Sequence, residues 1–112
     1  MSKYNAKRTK YNGVNYASKA EAMRAMGLDI LKLAGEIKVW IGQPVFRLGV
    51  SENKYVADFL VIPWVGVPWV EDVKGFETPR FKHNKKLWKR YGCLDLHILK
   101  GENVEIVKPE EV

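Results

Sequence analysis

Two neighbouring segments of the sequence carry acidic side chains where an apolar strand is expected. Asp58 interrupts the otherwise apolar run 55–62, and Asp72 lies two residues before Lys74 in the next short run. Side chains alternate between the faces of a strand, so Asp72 and Lys74 share one face and Glu71 takes the other. A buried carboxylate is strongly unfavourable unless it is paired or bound to a metal. The pattern therefore predicts a metal site between the two strands.

A divalent ion at such a site could support phosphodiester hydrolysis. Hard cations held by carboxylates neutralise the phosphate, activate water and stabilise the leaving oxygen. Asp58 and Asp72 are the candidate ligands, and the backbone carbonyl of Val73 could complete the shell. Lys74 could orient the attacking water or offset charge near the scissile phosphate. Glu21, on the preceding helix, could reach a second ion, or it could simply satisfy a backbone amide where that helix begins.

Other catalytic classes lack the residues that they need. His83, His97 and the single cysteine, Cys93, are too few for a zinc site. No glycine-rich phosphate loop is present, and the serines have no adjacent base or nucleophile elbow. One cysteine also excludes an internal disulfide and fits a reducing compartment.

The composition is that of one soluble domain with an anionic partner. The chain has 112 residues, of which 46% are apolar and 29% charged, enough for one core but not for two. The net charge of +6 and the isoelectric point of about 9.5 favour an anionic partner. The most apolar run, 59–70, is too short to span a bilayer, and the basic N-terminus lacks the apolar segment of a secretory signal. We expect no membrane contact and an intracellular location.

Local signals divide the chain into a basic N-terminal arm, residues 1–17, and a single domain, residues 18–112. In the arm, Asn12-Gly13 is typical of a tight hairpin turn. A capping box at Ser18 begins the first helix, which ends at Gly35. An N-cap and a proline at positions 78 and 79 begin a second helix, which ends before Gly92. Apolar runs predict strands over residues 36–41, 45–50, 55–62, 69–74, 94–99 and 104–107.

Clustered positive charge predicts two surfaces that bind nucleic acid. The second helix carries six cations, and no acid occurs from residue 78 to residue 94. Six charges of one sign favour contact with a phosphate backbone over a merely solvated face, which is the alternative. The candidate DNA-binding residues are Lys7, Arg8, Lys10 and Lys19 near the arm, and Arg80, Lys82, Lys85, Lys86, Lys89 and Arg90 on the second helix.

The sequence resembles the PD-(D/E)XK nuclease superfamily, above all small phage Holliday-junction resolvases and their phage relatives. The match is carried by residues 18–22, 55–59 and 70–75. The resemblance covers about residues 3–92. It implies an α/β fold with a restriction-endonuclease-like core, in which a central mixed sheet is flanked by helices in the order α-β-β-β-α-β. It also implies dependence on Mg²⁺ or Mn²⁺ and, for a phage-encoded protein, the host cytoplasm as its location.

Carried over residue by residue, the resemblance makes Asp58 and Asp72 metal ligands, Lys74 the catalytic lysine and Glu21 the acid on the helix. Ala57 stands where the motif's name would put proline, and Asp72 replaces the more usual glutamate, whose longer reach it lacks. The implied activity is that of a structure-specific endonuclease on branched double-stranded DNA. Symmetric cutting across a branch point predicts a homodimer, with the first helix, the arm and the apolar turn 64–68 as candidate contact elements.

Two other functions stay open at this point. A nicking or restriction-like nuclease on ordinary duplex DNA would use the same motif. A DNA-binding protein without catalysis would retain the acids only as buried structural partners of Lys74.

Overall fold

The computed structural model describes residues 7–49 and 53–110; residues 1–6 of the predicted arm and Val50 of the predicted strand 45–50 lie outside this part. The elements in chain order are β1 (Thr9–Tyr11), β2 (Val14–Tyr16), α1 (Lys19–Leu33), β3 (Val39–Gly42), β4 (Val45–Arg47), β5 (Lys54–Val56), β6 (Phe59–Ile62), β7 (Trp69–Val73), α2 (Pro79–Tyr91), β8 (Leu96–Lys100) and β9 (Asn103–Val107).

The centre of the molecule is a five-stranded mixed sheet with the strand order β3-β6-β7-β8-β9. The pairs β3/β6, β6/β7 and β8/β9 are antiparallel, whereas β7 and β8 are parallel and are joined through α2. From α1 to β8, the helices and the strands of the central sheet follow in the order α-β-β-β-α-β; β4 and β5 belong to a separate sheet. The predicted α/β class, the mixed sheet and the element order are thus confirmed. No helix among the described residues is long and apolar enough to cross a bilayer.

Each helix covers one apolar cluster, and the two clusters lie on opposite faces of the sheet. Beneath α1 the buried residues include Leu28, Phe59 and Val61. Beneath α2 they include Trp88 and Ile98. Successive side chains of β7 point to opposite faces of the sheet. One set therefore faces the cluster under α1, and the other set faces the cluster under α2.

Capping side chains explain where the helices begin. The Ser18 hydroxyl accepts a hydrogen bond from the Glu21 amide at 3.1 Å, and the Thr78 hydroxyl accepts one from the Phe81 amide at 3.1 Å. After α1, Gly35 adopts a φ of +77°, the left-handed conformation that glycine tolerates best. The predicted turn at Asn12-Gly13 joins β1 to β2, with φ values of +50° and +81° that match a type I′ hairpin.

Gly92 ends α2 for a steric reason. Its φ is −66°, so no left-handed turn requires glycine here. A Cβ at this position would lie 2.6 Å from the Trp88 carbonyl oxygen and 2.7 Å from the Trp88 indole nitrogen. That nitrogen donates to the Leu94 carbonyl at 2.8 Å, which holds the indole in the core.

The predicted strand over residues 55–62 is wrong, because the chain leaves one sheet and enters another within it. β5 pairs with β4 in a separate two-stranded sheet, whereas β6 belongs to the central sheet. At the break, the Ala57 amide donates to the Pro44 carbonyl and the Gln43 amide donates to the Asp58 carbonyl. Asp58 therefore lies at a junction between sheets and not in the middle of a strand.

Candidate active site

A hydrogen bond across the sheet fixes the position of Asp58. Its Oδ2 accepts from the backbone amide of Val73, the last residue of β7, at 2.7 Å. Its own amide donates to the Glu71 carbonyl at 3.2 Å. The N–H and C=O of a strand residue point to the same side, so the Val73 carbonyl is expected on the side of β7 that faces Asp58. The two predicted motifs are thereby held against each other.

Asp72 is buried on the α2 side of β7, where it accepts a hydrogen bond from the Tyr55 hydroxyl on β5. Burial raises the pKa of Asp72 to about 6, although Lys74 and the Asp58 amide oppose this rise. Burial also raises the pKa of Asp58, against the Val73 amide and Lys74. Both carboxylates are therefore less stable as anions than they would be in water, which favours a cation beside them.

Glu21 in the first turn of α1 belongs to the same electrostatic group. Its pKa is raised to about 7, first by burial and then by the negative charges of Asp58 and Asp72, whereas a hydrogen bond from the Ala17 amide and the charge of Lys74 lower it. The side chain thus has a backbone partner at the helix start and also interacts with the other acids. Glu21 and Asp58 line one cleft, whereas Asp72 is buried on the α2 side of β7 and Lys74 lines a different cleft, so the four residues are linked by charge and not by a shared pocket.

Glu71, the neighbouring acid, has a different role. It is buried on the α1 side of β7, where Arg24 Nε and Nη2 each donate to one of its carboxylate oxygens at 2.7 Å. The Trp69 indole donates to the same carboxylate at 2.9 Å. Glu71 is therefore a fully paired structural acid, which supports Asp72 as the strand-borne ligand.

Glu21 and Asp58 line one cleft of about 360 Å³. The sequence patterns did not predict the residues that form its other walls. One wall is the β1–β2 hairpin, whose Tyr11 hydroxyl donates to Asp29 of α1 at 2.6 Å. The opposite wall includes Gln43, a non-glycine residue with a φ of +54°. The remaining lining residues are Val14, Asn15, Tyr16, Trp40, Gly42 and Phe59.

Lys74 lines a second, basic cleft of about 230 Å³. Its Nζ lies 4.4 Å from the centre of the Phe81 ring, which supports the ammonium by a cation–π contact. Lys54 of β5 and Arg80 of α2 line the same cleft. Three cations therefore line this cleft, and cations of this kind suit a phosphate group.

The donor types at the site fit a hard divalent cation. Within residues 7–49 and 53–110, no three Asp, Glu, His or Cys side chains are arranged to hold one ion. Mg²⁺ does not need such a cage, since it is commonly bound by one or two carboxylates, waters and substrate phosphates. Asp58 uses only Oδ2 in its hydrogen bond to Val73, which leaves Oδ1 without a partner among the described residues. Asp58, Asp72 and the Val73 carbonyl are thus oxygen donors of the kind that such an ion takes, and Glu21 lines the same cleft as Asp58.

The predicted DNA-binding cations form two surfaces, with one exception. Lys7, Arg8, Lys10 and Lys19 line a single concavity of about 620 Å³ between the hairpin and α1. On α2, the exposed cations are Arg80, Lys82, Lys86, Lys89 and Arg90.

Lys85 does not belong to the exposed surface of α2. It is half-buried, and its Nζ lies 3.0 Å from Glu77 and 2.9 Å from Glu105. Lys100 joins the same two acids. The charge count over residues 78–94 missed these acids because both lie outside that window. Lys85 is therefore paired with acids of the chain itself, and its contact with DNA stays a prediction.

Comparison with known proteins places the chain in a family without an assigned activity. A family model described as "Protein of unknown function (DUF1064)" matches residues 1–104. No curated protein and no solved structure shows significant similarity to the chain.

Proposed function

The chain belongs to the DUF1064 family, and we propose that it is a metal-dependent endonuclease that cuts branched DNA. The observation that carries this proposal is the hydrogen bond from the Val73 amide to Asp58, which holds Asp58 against the strand of Asp72, while Glu21 and Lys74 interact with both acids electrostatically. These four charged residues come from the start of α1, the β5–β6 junction and the end of β7, yet their charges act on one another. Unfavourable burial of several acids beside one lysine is typical of catalytic sites.

Asp58 and Asp72 would hold the ion, together with the Val73 carbonyl, and Glu21 is available for a second one. A bound Mg²⁺ or Mn²⁺ supplies Lewis acidity at the phosphate and lowers the pKa of water. The residues of the chain orient the site: the Val73 amide fixes Asp58, and the Tyr55 hydroxyl fixes Asp72. Lys74, supported by the Phe81 ring, would stabilise negative charge on the phosphate.

The two basic surfaces support DNA as the substrate. The arm-side concavity and the exposed face of α2 offer cations to phosphates without regard to sequence, so binding would be governed by backbone charge and shape. The preference for branched DNA rests on the resemblance to resolvases, which also implies a homodimer. A nicking or restriction-like enzyme on duplex DNA would use the same residues.

A cleavage assay separates these possibilities. The full chain is incubated with four-way, forked and linear duplex DNA in Mg²⁺, in Mn²⁺ and in EDTA. We expect cutting of the four-way junction that requires the metal and exceeds cutting of the linear duplex. Equal cutting of all three would favour the duplex nuclease, and cutting in EDTA would refute the metal requirement.

A DNA-binding protein without catalysis is the second candidate. It is favoured by one observation, namely that no three side chains within the described ranges are already arranged around an ion. In that case, the chain would bind junction DNA in Mg²⁺ and in EDTA alike, and no product would form with either metal.

A further inference from the structure

The charged residues that line the cleft of Lys74 are all cations. Lys54 comes from β5, Lys74 follows β7 directly, and Arg80 belongs to the first turn of α2. The other lining residues carry no charge, namely Tyr55, Val56, Thr78, Phe81 and Asn84. A cleft lined by charge of one sign raises the local concentration of ions of the opposite sign. This cleft therefore attracts an anion.

Two of the three cations have charge available for a ligand. Lys54 and Arg80 form no ion pair within residues 7–49 and 53–110. Lys74 differs, because it interacts electrostatically with Asp58 and Asp72 and is partly balanced by them. About two positive charges thus remain uncompensated within this part of the chain, so the cleft matches a ligand with two negative charges.

A buried amide adds a directed donor to the cleft. Asn84 is 8% exposed and lies on the buried face of α2, where an amide is unfavourable without hydrogen bonds. Its Oδ1 accepts from Asn53 at 3.4 Å, whereas its Nδ2 donates to no atom of the described residues. Since no buried polar side-chain atom of these residues lacks a partner, Nδ2 is reached from solvent, and Asn84 meets solvent at this cleft. The amide is therefore open to a ligand there.

The start of α2 also favours an anion in the cleft. The Thr78 hydroxyl accepts from the Phe81 amide, and its own proton has no acceptor within the described ranges. The N-terminus of this 13-residue helix carries a partial positive charge. Thr78 and Asn84 can thus donate to different oxygens of one ligand.

We propose that this cleft binds the terminal phosphate of a DNA strand. A phosphate at a strand end carries about −1.5 to −2 charges near pH 7 and three acceptor oxygens. A phosphate inside a strand carries one charge only. Two uncompensated cations and two neutral donors therefore match a strand end better than a strand interior. The basic surfaces of the hairpin and of α2 would contact the rest of the strand, which a free phosphate ion does not offer.

The proposal deepens the proposed function and rests on it for the origin of the strand end, which cleavage or an earlier nick would produce. The binding of ends is measured in EDTA, where no metal can bridge a phosphate to the acids, so the two ideas can fail separately. End binding by a chain that cuts no DNA would refute the nuclease alone. Cleavage without end binding would refute this site alone.

Fluorescence anisotropy of the full chain in EDTA tests the site. The probe is one single-stranded oligonucleotide, labelled at an internal base, with a 5′-phosphate, a 3′-phosphate or no terminal phosphate. We expect at least one phosphorylated form to bind about 10-fold more tightly than the unphosphorylated form. The form that binds more tightly identifies the end that the cleft takes. Equal binding of all three forms would overturn the proposal.

Matched variants locate this preference in the cleft. Lys54→Gln removes an exposed cation of the cleft and should abolish most of the preference. Asn84→Asp replaces the donor by a carboxylate and should do the same; if circular dichroism shows that it is unfolded, Lys54→Gln decides. Lys86→Gln removes the same charge outside the cleft and should weaken the binding of all three forms equally. An unchanged preference in Lys54→Gln, or an equal loss in Lys86→Gln, would overturn the site.

Inorganic phosphate distinguishes a strand end from the free ion. As a competitor, it should displace the phosphorylated probe only at concentrations far above that of the probe, because it lacks the contacts of the strand. Displacement by inorganic phosphate at the probe concentration would show that the free ion is the ligand, and the assignment to a strand end would be wrong.

Discussion

The carboxylate of Asp58 accepts a hydrogen bond from the backbone amide of Val73 at 2.7 Å. This bond joins the β5–β6 junction to the end of β7, directly between Asp72 and Lys74. Through it, residues from two separate motifs act as one charged group, whose members raise or lower one another's pKa. The hydrogen bond needs only an acceptor oxygen at position 58. Substitution by asparagine therefore keeps the hydrogen bond and removes the negative charge.

Asparagine at position 58 or 72 should abolish cleavage and leave DNA binding intact. At position 58 the amide oxygen still accepts from Val73, but the negative charge for a cation is lost. We expect the cleavage rate on four-way DNA to fall by about 10²-fold or more, with unchanged affinity in a mobility-shift assay. Asp95→Asn, which removes a surface acid paired with Lys108, is the control and should cut normally. Normal cutting by Asp58→Asn would show that this residue is not a ligand.

The adjacent acid, Glu71, should behave in the opposite way. Glu71→Gln leaves Arg24 without its bidentate partner, which should lower the free energy of unfolding by about 1–3 kcal/mol in urea titrations. Cleavage per folded molecule should remain near that of the wild type. A stable but inactive Glu71→Gln protein would exchange the roles of Glu71 and Asp72.

Without metal, the protein should lose stability as the pH rises from about 5 to about 8. The pKa of Glu21 is raised to about 7 and that of Asp72 to about 6, from ordinary values of 4.5 and 3.8. In this window the folded chain therefore holds more protons than the unfolded chain, so the free energy of unfolding decreases as they are released. Urea midpoints in EDTA across the window measure the effect.

Substitutions identify the source of this pH dependence. Glu21→Gln should reduce it and leave the part due to Asp72, whereas Glu102→Gln, which changes an exposed turn residue, should leave it unchanged. Mg²⁺ should restore stability mainly above pH 7, because carboxylate ligands bind metal when deprotonated. A wild-type stability that rises with pH in EDTA would contradict the raised pKa values.

Neutralising the exposed cations of α2 should weaken DNA binding. Lys82, Lys86 and Lys89 follow one another at helical spacing on one exposed side. Their joint replacement by glutamine should reduce the salt slope of binding by about 0.9 for each phosphate that the protein no longer neutralises, as measured by fluorescence anisotropy. Lys85→Gln is the control, since its partners are Glu77 and Glu105, and it should affect stability more than the slope. An unchanged slope in the triple variant would place the DNA surface elsewhere.

Local patterns predicted much of this fold, because they act over a few residues. Alternation separated Asp72 from Glu71, and the capping residues Ser18 and Thr78 located both helices. The break at Asp58 could not be predicted in the same way. The run 55–62 is apolar on both sides of Asp58, and the break depends on hydrogen bonds with Gln43 and Pro44, which are distant in sequence.

The same difference between local patterns and contacts distant in sequence applies to the candidate site. Asp58, Asp72 and Lys74 could be named because charge in an apolar strand is conspicuous, and Glu21 was named through the family resemblance. The partners that orient or neutralise charged groups could not be named, because they arrive through tertiary folding. Tyr55 reaches Asp72 only because β5 folds against α2, and Glu105 reaches Lys85 from the last strand.

Gly92 has no functional side chain, yet it affects the helix that carries the exposed cations, because it lies at the end of α2. The space beside it is just large enough for hydrogen, and the Trp88 ring occupies the rest. An added methyl group would clash with the Trp88 carbonyl and indole, so the indole or the end of α2 would have to move. The cations on the displaced part of α2 would then change position although none of them had been substituted. The positions of the cations on α2 thus depend, in part, on the absence of a side chain at Gly92.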